Sequence, residues 1–464
     1  MSFDVLRRAL IANPRALFDG QQHYSGCQLL NRAEALATSL REAGVQRLGL
    51  LMDNTLAWVV TDLAAMFSGI VLVPLPGFFS DEQRQHVILD AGLDAILAPI
   101  PLGKEQQWLD EGVLTLLQPQ QPVALPAGTA KVTYTSGTTG SPKGVCLSLA
   151  NQLRVAEALV AVTGSLGVRE HLCLLPLAVL LENIGGLYVP WLAGACVTVL
   201  PMSRLGMSGA SGVEPQTLLS TLSQMQPHSL ILVPALLPVI LAGRSQGLAD
   251  SYRFLALGGG KTATAHLEKA QVLGLPVYEG YGLSESASVV ALNAPDAQRL
   301  GTVGRPLQHV QVKLASDGEV LVKGNGFLGY LGQNMPAQPW LATGDIGELD
   351  AEGFLTIRGR KKDVIVTAMG RNVSPQWLES ELCAIDGIKQ AFVFGDEARG
   401  IAALVVGQHP SPESLRQHIN QQLPDYARLN ALHFTDQPFS IERQELTANG
   451  RLRRAALSHR IRSL

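Results

Sequence analysis

Short apolar runs of four or five residues alternate with helix-spaced stretches through most of the first three hundred positions of this 464-residue chain. Residues 28–43 carry the apolar spacing of a helix that stops at Gly44, and Leu48–Met52 reads as a strand. Then come a helical stretch Thr55–Phe67, a strand Val71–Leu75, a helical stretch Asp81–Ala91 and a strand Asp94–Leu97. The pattern returns with a helix over 149–162, strands near 172 and 196, a helix Pro215–Met225, and strands Leu230–Val233 and Phe254–Leu257. Parallel strands need a long crossover between them, so this alternation predicts parallel-type sheets covered by helices.

From residue 301 the texture changes to alternating residues with Asp-Gly turns, predicting a small antiparallel or barrel-like subdomain. Polarity rises at Lys361-Lys362-Asp363, and a compact α+β pattern follows: helix Pro375–Cys383, strands 390–394 and 401–406, helix 412–422. The expected fold is therefore α/β, with a large N-terminal domain over 1–360 that includes the small subdomain. A smaller α+β C-terminal domain spans 361–464.

Composition narrows the function. Hydrophobic residues make up 47% and charged residues 16%, which excludes a disordered chain. A net charge of −3 gives no electrostatic footprint for nucleic acid. The five cysteines are scattered without a C-x-x-C pair, as expected of reduced thiols in a cytoplasmic protein. The N-terminus lacks the apolar core of a signal peptide. The apolar stretch 172–200 is divided by Glu182-Asn183 and broken by Pro176, Pro190 and Gly185-Gly186, so it reads as buried core and not as a transmembrane span.

The chemistry starts at residues 131–148, where a β-type run feeds Thr135-Ser136-Gly137-Thr138-Thr139-Gly140-Ser141 and then Pro142-Lys143-Gly144. Glycines let backbone N–H groups turn inward, hydroxyls add donors, and the lysine adds charge: together a polyphosphate cradle. It is not the P-loop G-x-x-x-x-G-K-[ST], because Pro142 and Gly144 stand where the second glycine and the hydroxyl belong. TYTSGTTGSPKGV resembles the phosphate loop of the adenylate-forming superfamily, which includes acyl-CoA synthetases, peptide-synthetase adenylation domains and luciferases. The resemblance implies that Thr135, Ser136, Gly137, Thr138, Thr139, Gly140 and Lys143 hold the phosphates of ATP.

Further motifs extend the resemblance. Gly258-Gly259-Gly260-Lys261-Thr262-Ala263 follows a strand, with Glu279 about twenty residues on, so in isolation it fits an NAD-binding fingerprint. In the superfamily a glycine-rich turn here lies against adenine. Tyr281-Gly282-Leu283-Ser284-Glu285 resembles the Y-G-x-[TS]-E motif, which implies that Tyr281 and Gly282 pack on adenine and Ser284 approaches the α-phosphate. Glu285 then holds Mg²⁺, which accepts hard carboxylate oxygens. Thr343-Gly344-Asp345 resembles the segment whose aspartate accepts the ribose hydroxyls, and Gly359–Asp363 the hinge motif. By that resemblance Arg360 contacts ribose or phosphate, and a mobile C-terminal domain swings about Lys362. Met369-Gly370-Arg371 matches the loop that approaches the thiol acceptor.

Two places depart from the pattern. Arg451 stands where the C-terminal [ST]-x-x-G-K-x-x-R segment has its adenylation lysine, and a planar fork is not a compact ammonium. Val179 stands where LPLxHxxER has a histidine or aromatic residue, and no aspartate between 171 and 186 offers itself to an α-amine. The resemblance therefore implies an AMP-forming acid–thiol ligase with Lys143, Glu285 and Arg451 as its catalytic groups. Its substrates would be ATP and a fatty or aryl acid, and the acceptor CoA or the phosphopantetheine arm of an acyl carrier protein. The other readings are a nucleotide-binding paralogue with weak catalysis and, more remotely, an NAD-dependent dehydrogenase.

Overall fold

The computed structural model describes residues 3–118, 123–135, 142–208, 212–248, 250–333, 339–367, 371–396, 400–409, 411–447 and 450–461. Two large sheets organise the N-terminal domain. In the eight-stranded sheet, Lys131–Thr135, Val71–Pro74, Arg47–Leu50 and Ala95–Ala98 lie side by side and parallel. In the nine-stranded sheet the parallel core runs Val277–Leu283, Phe254–Leu257, Ser229–Leu232, Glu170–Leu172, Cys196–Thr198, Leu17–Phe18.

The expectation of parallel-type sheets holds for these cores but not for their edges. Gly112–Leu116 and Gln106–Leu109 extend one edge of the eight-stranded sheet antiparallel, and Lys143–Leu147 with Gly329–Tyr330 extends the other. Ser288–Leu292 and Arg305–Pro306 do the same for the nine-stranded sheet. Antiparallel edges need no crossover helix, and Gly329–Tyr330 arrives from far along the chain, so they leave no trace in a strand–helix alternation.

Helices Gly26–Glu42, Leu56–Ser68 and Leu149–Thr163 share one apolar core with both sheets, built on Leu29, Trp58, Leu63, Leu147, Val155 and Val197. Their starts are encoded locally. Ser25 and Ser148 each close a capping box with the residue three positions on, satisfying backbone donors that would otherwise be orphaned.

Beyond residue 301, Gln311–Leu314, Glu319–Lys323, Leu341–Leu349 and Leu355–Arg360 form a four-stranded antiparallel sheet. The C-terminal domain packs helices Pro375–Cys383 and Pro412–Gln422 on a three-stranded sheet of Ile388–Asp396, Gly400–Gly407 and Leu429–Thr435. It touches the N-terminal domain at Glu381, whose Oε1 accepts from the backbone N–H (3.2 Å) and hydroxyl (3.1 Å) of Thr264. Among the described residues no helix is long and apolar enough to cross a membrane. The stretch 172–200 is folded core, with Glu182 and Asn183 fully buried and a π-helical turn over Asn183–Tyr188.

Candidate active site

Asp345 lies on the strand Leu341–Leu349, directly opposite Arg360 in the antiparallel register. Its Oδ1 is 3.0 Å from Arg360 Nε, and its Oδ2 accepts from the Tyr281 hydroxyl at 2.5 Å. Thr343 fixes the turn: its hydroxyl donates to the Val320 carbonyl at 2.8 Å and accepts from the Asp345 N–H at 3.1 Å. Burial pushes the Asp345 carboxyl above its ordinary value; Arg360 and Tyr281 oppose that rise, Glu285 adds to it and Arg451 opposes it. The Tyr281 phenol is likewise pushed well up, by burial first and then by Asp345.

Glu285 sits in the 3₁₀ turn Ser284–Ser286, beside Ser284. Its Oε1 accepts from the Tyr330 hydroxyl at 2.8 Å; among the described residues, Oε2 accepts from none. Lys143 Nζ lies 5.7 Å from the centre of the same Tyr330 ring. Strand pairing explains this meeting, because Tyr330 pairs with Val145 at the outer face of Lys143–Leu147. Thr135 pairs in turn with Lys143, so the two strands on either side of the loop run antiparallel and its two anchors face each other. A strand, not the helix of a P-loop, follows it. Ser136, Gly137, Thr138, Thr139 and Gly140 lie outside the described residues, as does Gly370. Tyr330, which joins the phosphate-loop lysine to the candidate metal ligand, belongs to no motif recognised in the sequence; its Gly-Tyr step in GFLGYLG is the one trace it leaves.

Gly258, Gly259 and Gly260 form the turn after Phe254–Leu257, next to the Gly280 carbonyl. Gly259 has φ +86°, and a side chain on Gly282 would meet the Ser288 carbonyl oxygen at 1.6 Å, so both positions require glycine. The dinucleotide reading fails here. The helix Thr264–Val272 begins several residues after the glycines, and its N-terminus, where a pyrophosphate would lie, is taken by the Glu381 carboxylate.

Arg451 completes the group. Its hairpin closes by Thr447 N–H donating to the Arg451 carbonyl at 2.7 Å and Arg451 N–H to the Thr447 hydroxyl at 3.0 Å, with Gly450 at φ +75°. Its Nη2 donates to the Gly259 carbonyl at 3.2 Å. Protein on several sides, the Arg360 charge next, pushes its pKa down, while Asp345 pulls it up; the residue is still open to solvent, as a cleft wall is. The basic cluster is thus not a solvated tail: Arg451 faces the glycine turn, and Arg454 Nη2 donates to both carboxylate oxygens of Glu379 at 2.8 and 2.7 Å. Lys362 stands exposed in the turn after Leu355–Arg360, between the four-stranded sheet and the C-terminal domain.

Residues from segments far apart in sequence are therefore brought together: Lys143 and Glu285 share Tyr330, Tyr281 and Arg360 share Asp345, and the charges of Glu285 and Arg451 both act on the Asp345 carboxyl. A family model described as AMP-binding enzyme matches residues 7–332, and one described as AMP-binding enzyme C-terminal domain matches residues 378–450. The chain belongs to this family, the adenylate-forming superfamily of AMP-forming ligases. It is 32% identical over 404 residues to a 2-succinylbenzoate–CoA ligase of Enterococcus faecalis, covering 80% of this chain and 79% of that one. It is 29% identical over 469 residues to a long-chain-fatty-acid–CoA ligase of Mycobacterium bovis, covering 81% and 76%. The Bacillus subtilis o-succinylbenzoate CoA synthetase in complex with ATP and magnesium superposes with TM-score 0.80 at 25% identity, covering 98% of this chain and 99% of that one.

Proposed function

We propose that this protein couples ATP to an aryl carboxylic acid of the 2-succinylbenzoate type, forms the acyl-adenylate, and passes the acyl group to the thiol of CoA. The observation that supports this reading is that Tyr330 joins Lys143 to Glu285 while the charges of Glu285 and Arg451 both act on Asp345, itself held by Tyr281 and Arg360. The aryl preference rests on the relative in Enterococcus faecalis, and it suits the apolar Leu181 side chain beside Gly258.

In the first half-reaction a carboxylate oxygen attacks the α-phosphorus, and the bond to the β-phosphate breaks to release pyrophosphate. The residues do this work by position and charge. Asp345 offers two fixed oxygens, and its ties to Arg360 and Tyr281 hold them for the ribose hydroxyls. Lys143 and Arg451 approach from opposite domains and meet the charge that shifts among the phosphates. Glu285 keeps one carboxylate oxygen uncommitted among the described residues, which suits a metal ligand; bound Mg²⁺ would neutralise phosphate charge there. In the second half-reaction the C-terminal domain swings about Lys362, Arg451 leaves the glycine turn, and the thiol sulfur displaces AMP from the acyl carbonyl.

Pyrophosphate release should be measured with 2-succinylbenzoate, anthranilate and a long-chain fatty acid, each without thiol, and thioester formation then with CoA. The expected result is release fastest with 2-succinylbenzoate and a CoA thioester as product. Faster turnover of the fatty acid would replace the aryl assignment, thioester formed only on a carrier protein would replace CoA, and no release with any acid would favour the weakly catalytic paralogue.

A further inference from the structure

Inside the N-terminal domain, three potential metal ligands converge in full burial. His171 follows the start of the strand Glu170–Leu172, Cys173 lies just past its end, and Glu182 ends the helical turn that leads into the π-helix. Their exposures are 3%, 0% and 0%, and their ligand atoms all lie within 4.8 Å of one another. His171 Nε2 and Glu182 Oε1 are 3.4 Å apart, long for a hydrogen bond but close to the edge of a zinc tetrahedron, about 3.3 Å for bonds of about 2.0 Å. Cys173 Sγ is 3.6 Å from the Gly186 carbonyl oxygen, again near a tetrahedral sulfur–oxygen edge of about 3.5 Å.

Space exists at the centre because residue 186 is glycine. The place where its side chain would begin is 2.5 Å from Glu182 Oε1, 3.1 Å from His171 Nε2 and 3.2 Å from Cys173 Sγ. An outer set of contacts is also present. The other imidazole nitrogen, Nδ1, is 2.8 Å from the Ser229 hydroxyl, which fixes the ring with Nε2 turned inward. The second carboxylate oxygen of Glu182 accepts from the Leu175 N–H at 3.2 Å.

We infer that His171, Cys173 and Glu182, with the Gly186 carbonyl, form a structural site for a zinc-class divalent cation. A thiolate and a carboxylate would together balance the two positive charges of Zn²⁺, so the loaded site would bury no net charge. The ion would pin the segment 175–183, which carries Leu181, to the nine-stranded sheet. Because the ligands are closed off from solvent, loading accompanies folding.

The test is metal analysis of the full chain produced in zinc-supplemented medium and desalted without chelator, with a parallel preparation in cobalt. Wild type is expected to retain zinc near one ion per chain and, with cobalt, to show a thiolate-to-metal charge-transfer band. Cys173→Ser should lower retained zinc at least about tenfold and abolish that band, while Cys196→Ser, another buried thiol outside the cluster, should keep both. Zinc-free wild type without the cobalt band, or Cys173→Ser holding as much metal as wild type, overturns the site. If Cys173→Ser does not accumulate, the wild-type zinc content and cobalt spectrum decide alone.

Discussion

Arg451 Nη2 donates to the carbonyl oxygen of Gly259 at 3.2 Å, across 192 residues of sequence. This contact carries the C-terminal domain's charge to the glycine turn, an arrangement that suits the proposed acyl-adenylate formation. Arg451→Ala should lower pyrophosphate release about 10²–10³-fold, the usual loss on removing one preorganised donor. Arg451→Lys should retain most of it, since charge and reach survive. Thioester formation from supplied acyl-adenylate should be unchanged in both variants. Equal pyrophosphate rates in all three proteins would take Arg451 out of the mechanism.

Glu381 holds the same docked arrangement from another side. It accepts twice from Thr264 at the start of the helix Thr264–Val272, in the manner of a cap supplied by another domain. Glu381→Gln should slow adenylation several-fold, equivalent to about 1 kcal/mol of cap energy, with the melting temperature of the N-terminal domain held. Single-turnover kinetics of each half-reaction would check this; a slowed thiol-transfer step with normal adenylation would contradict it.

Local signals made much of this legible. Asp81–Ala91 was readable from its Ser80 cap, and Pro215–Met225, Pro375–Cys383 and Pro412–Gln422 from proline at their first turn. Asp345 and Glu285 stood out because glycine and hydroxyl neighbours at fixed offsets are local too. Tyr330 did not, since its role comes from pairing with Val145, nearly two hundred positions away, and an edge pairing is decided by packing alone. Glu381 was hidden for the same reason: its partner belongs to another domain.

Tyr330 has its own test. Its hydroxyl donates to Glu285 Oε1 at 2.8 Å and its ring lies under Lys143, so it orients the carboxylate assigned to Mg²⁺. Tyr330→Phe keeps the ring and removes the donor. The magnesium concentration for half-maximal pyrophosphate release should rise about 10-fold, as for lost support of a metal ligand, with the acid KM nearly unchanged. An unchanged magnesium dependence would make the contact structural only.

Lys131 and Asp62 illustrate a buried pair that carries stability and not chemistry. Lys131 Nζ is 2.7 Å from Asp62 Oδ1 and 3.0 Å from the Tyr188 hydroxyl, all three residues lying in the core. Burial lowers the lysine pKa and Asp62 restores it in part. Lys131→Met should destabilise by about 3–5 kcal/mol because it strands the aspartate. Lys131→Met with Asp62→Leu should recover most of that loss in chemical denaturation. A double variant no more stable than the single one would show that the pair contributes more than its own charge balance.

Glu279 gives a pH dependence with a definite sign. It is 8% exposed, its Oε2 has no hydrogen-bond partner among the described residues, and burial raises its pKa to about 7, with Lys261 opposing. The folded state therefore binds this proton more tightly than the unfolded chain, whose value is near 4.5. Below that lower value the group costs nothing. As pH rises from about 4.5 to about 7 the folded state progressively loses stability, by at most about 3 kcal/mol, and above 7 the penalty is complete. Glu279→Gln removes the titration while keeping the shape. Relative to wild type, the variant should gain melting temperature steadily between pH 5 and pH 7 and level off above that, and a wild-type-minus-variant difference that stays flat from pH 5 to pH 7 would place the Glu279 carboxylate in an environment open to water.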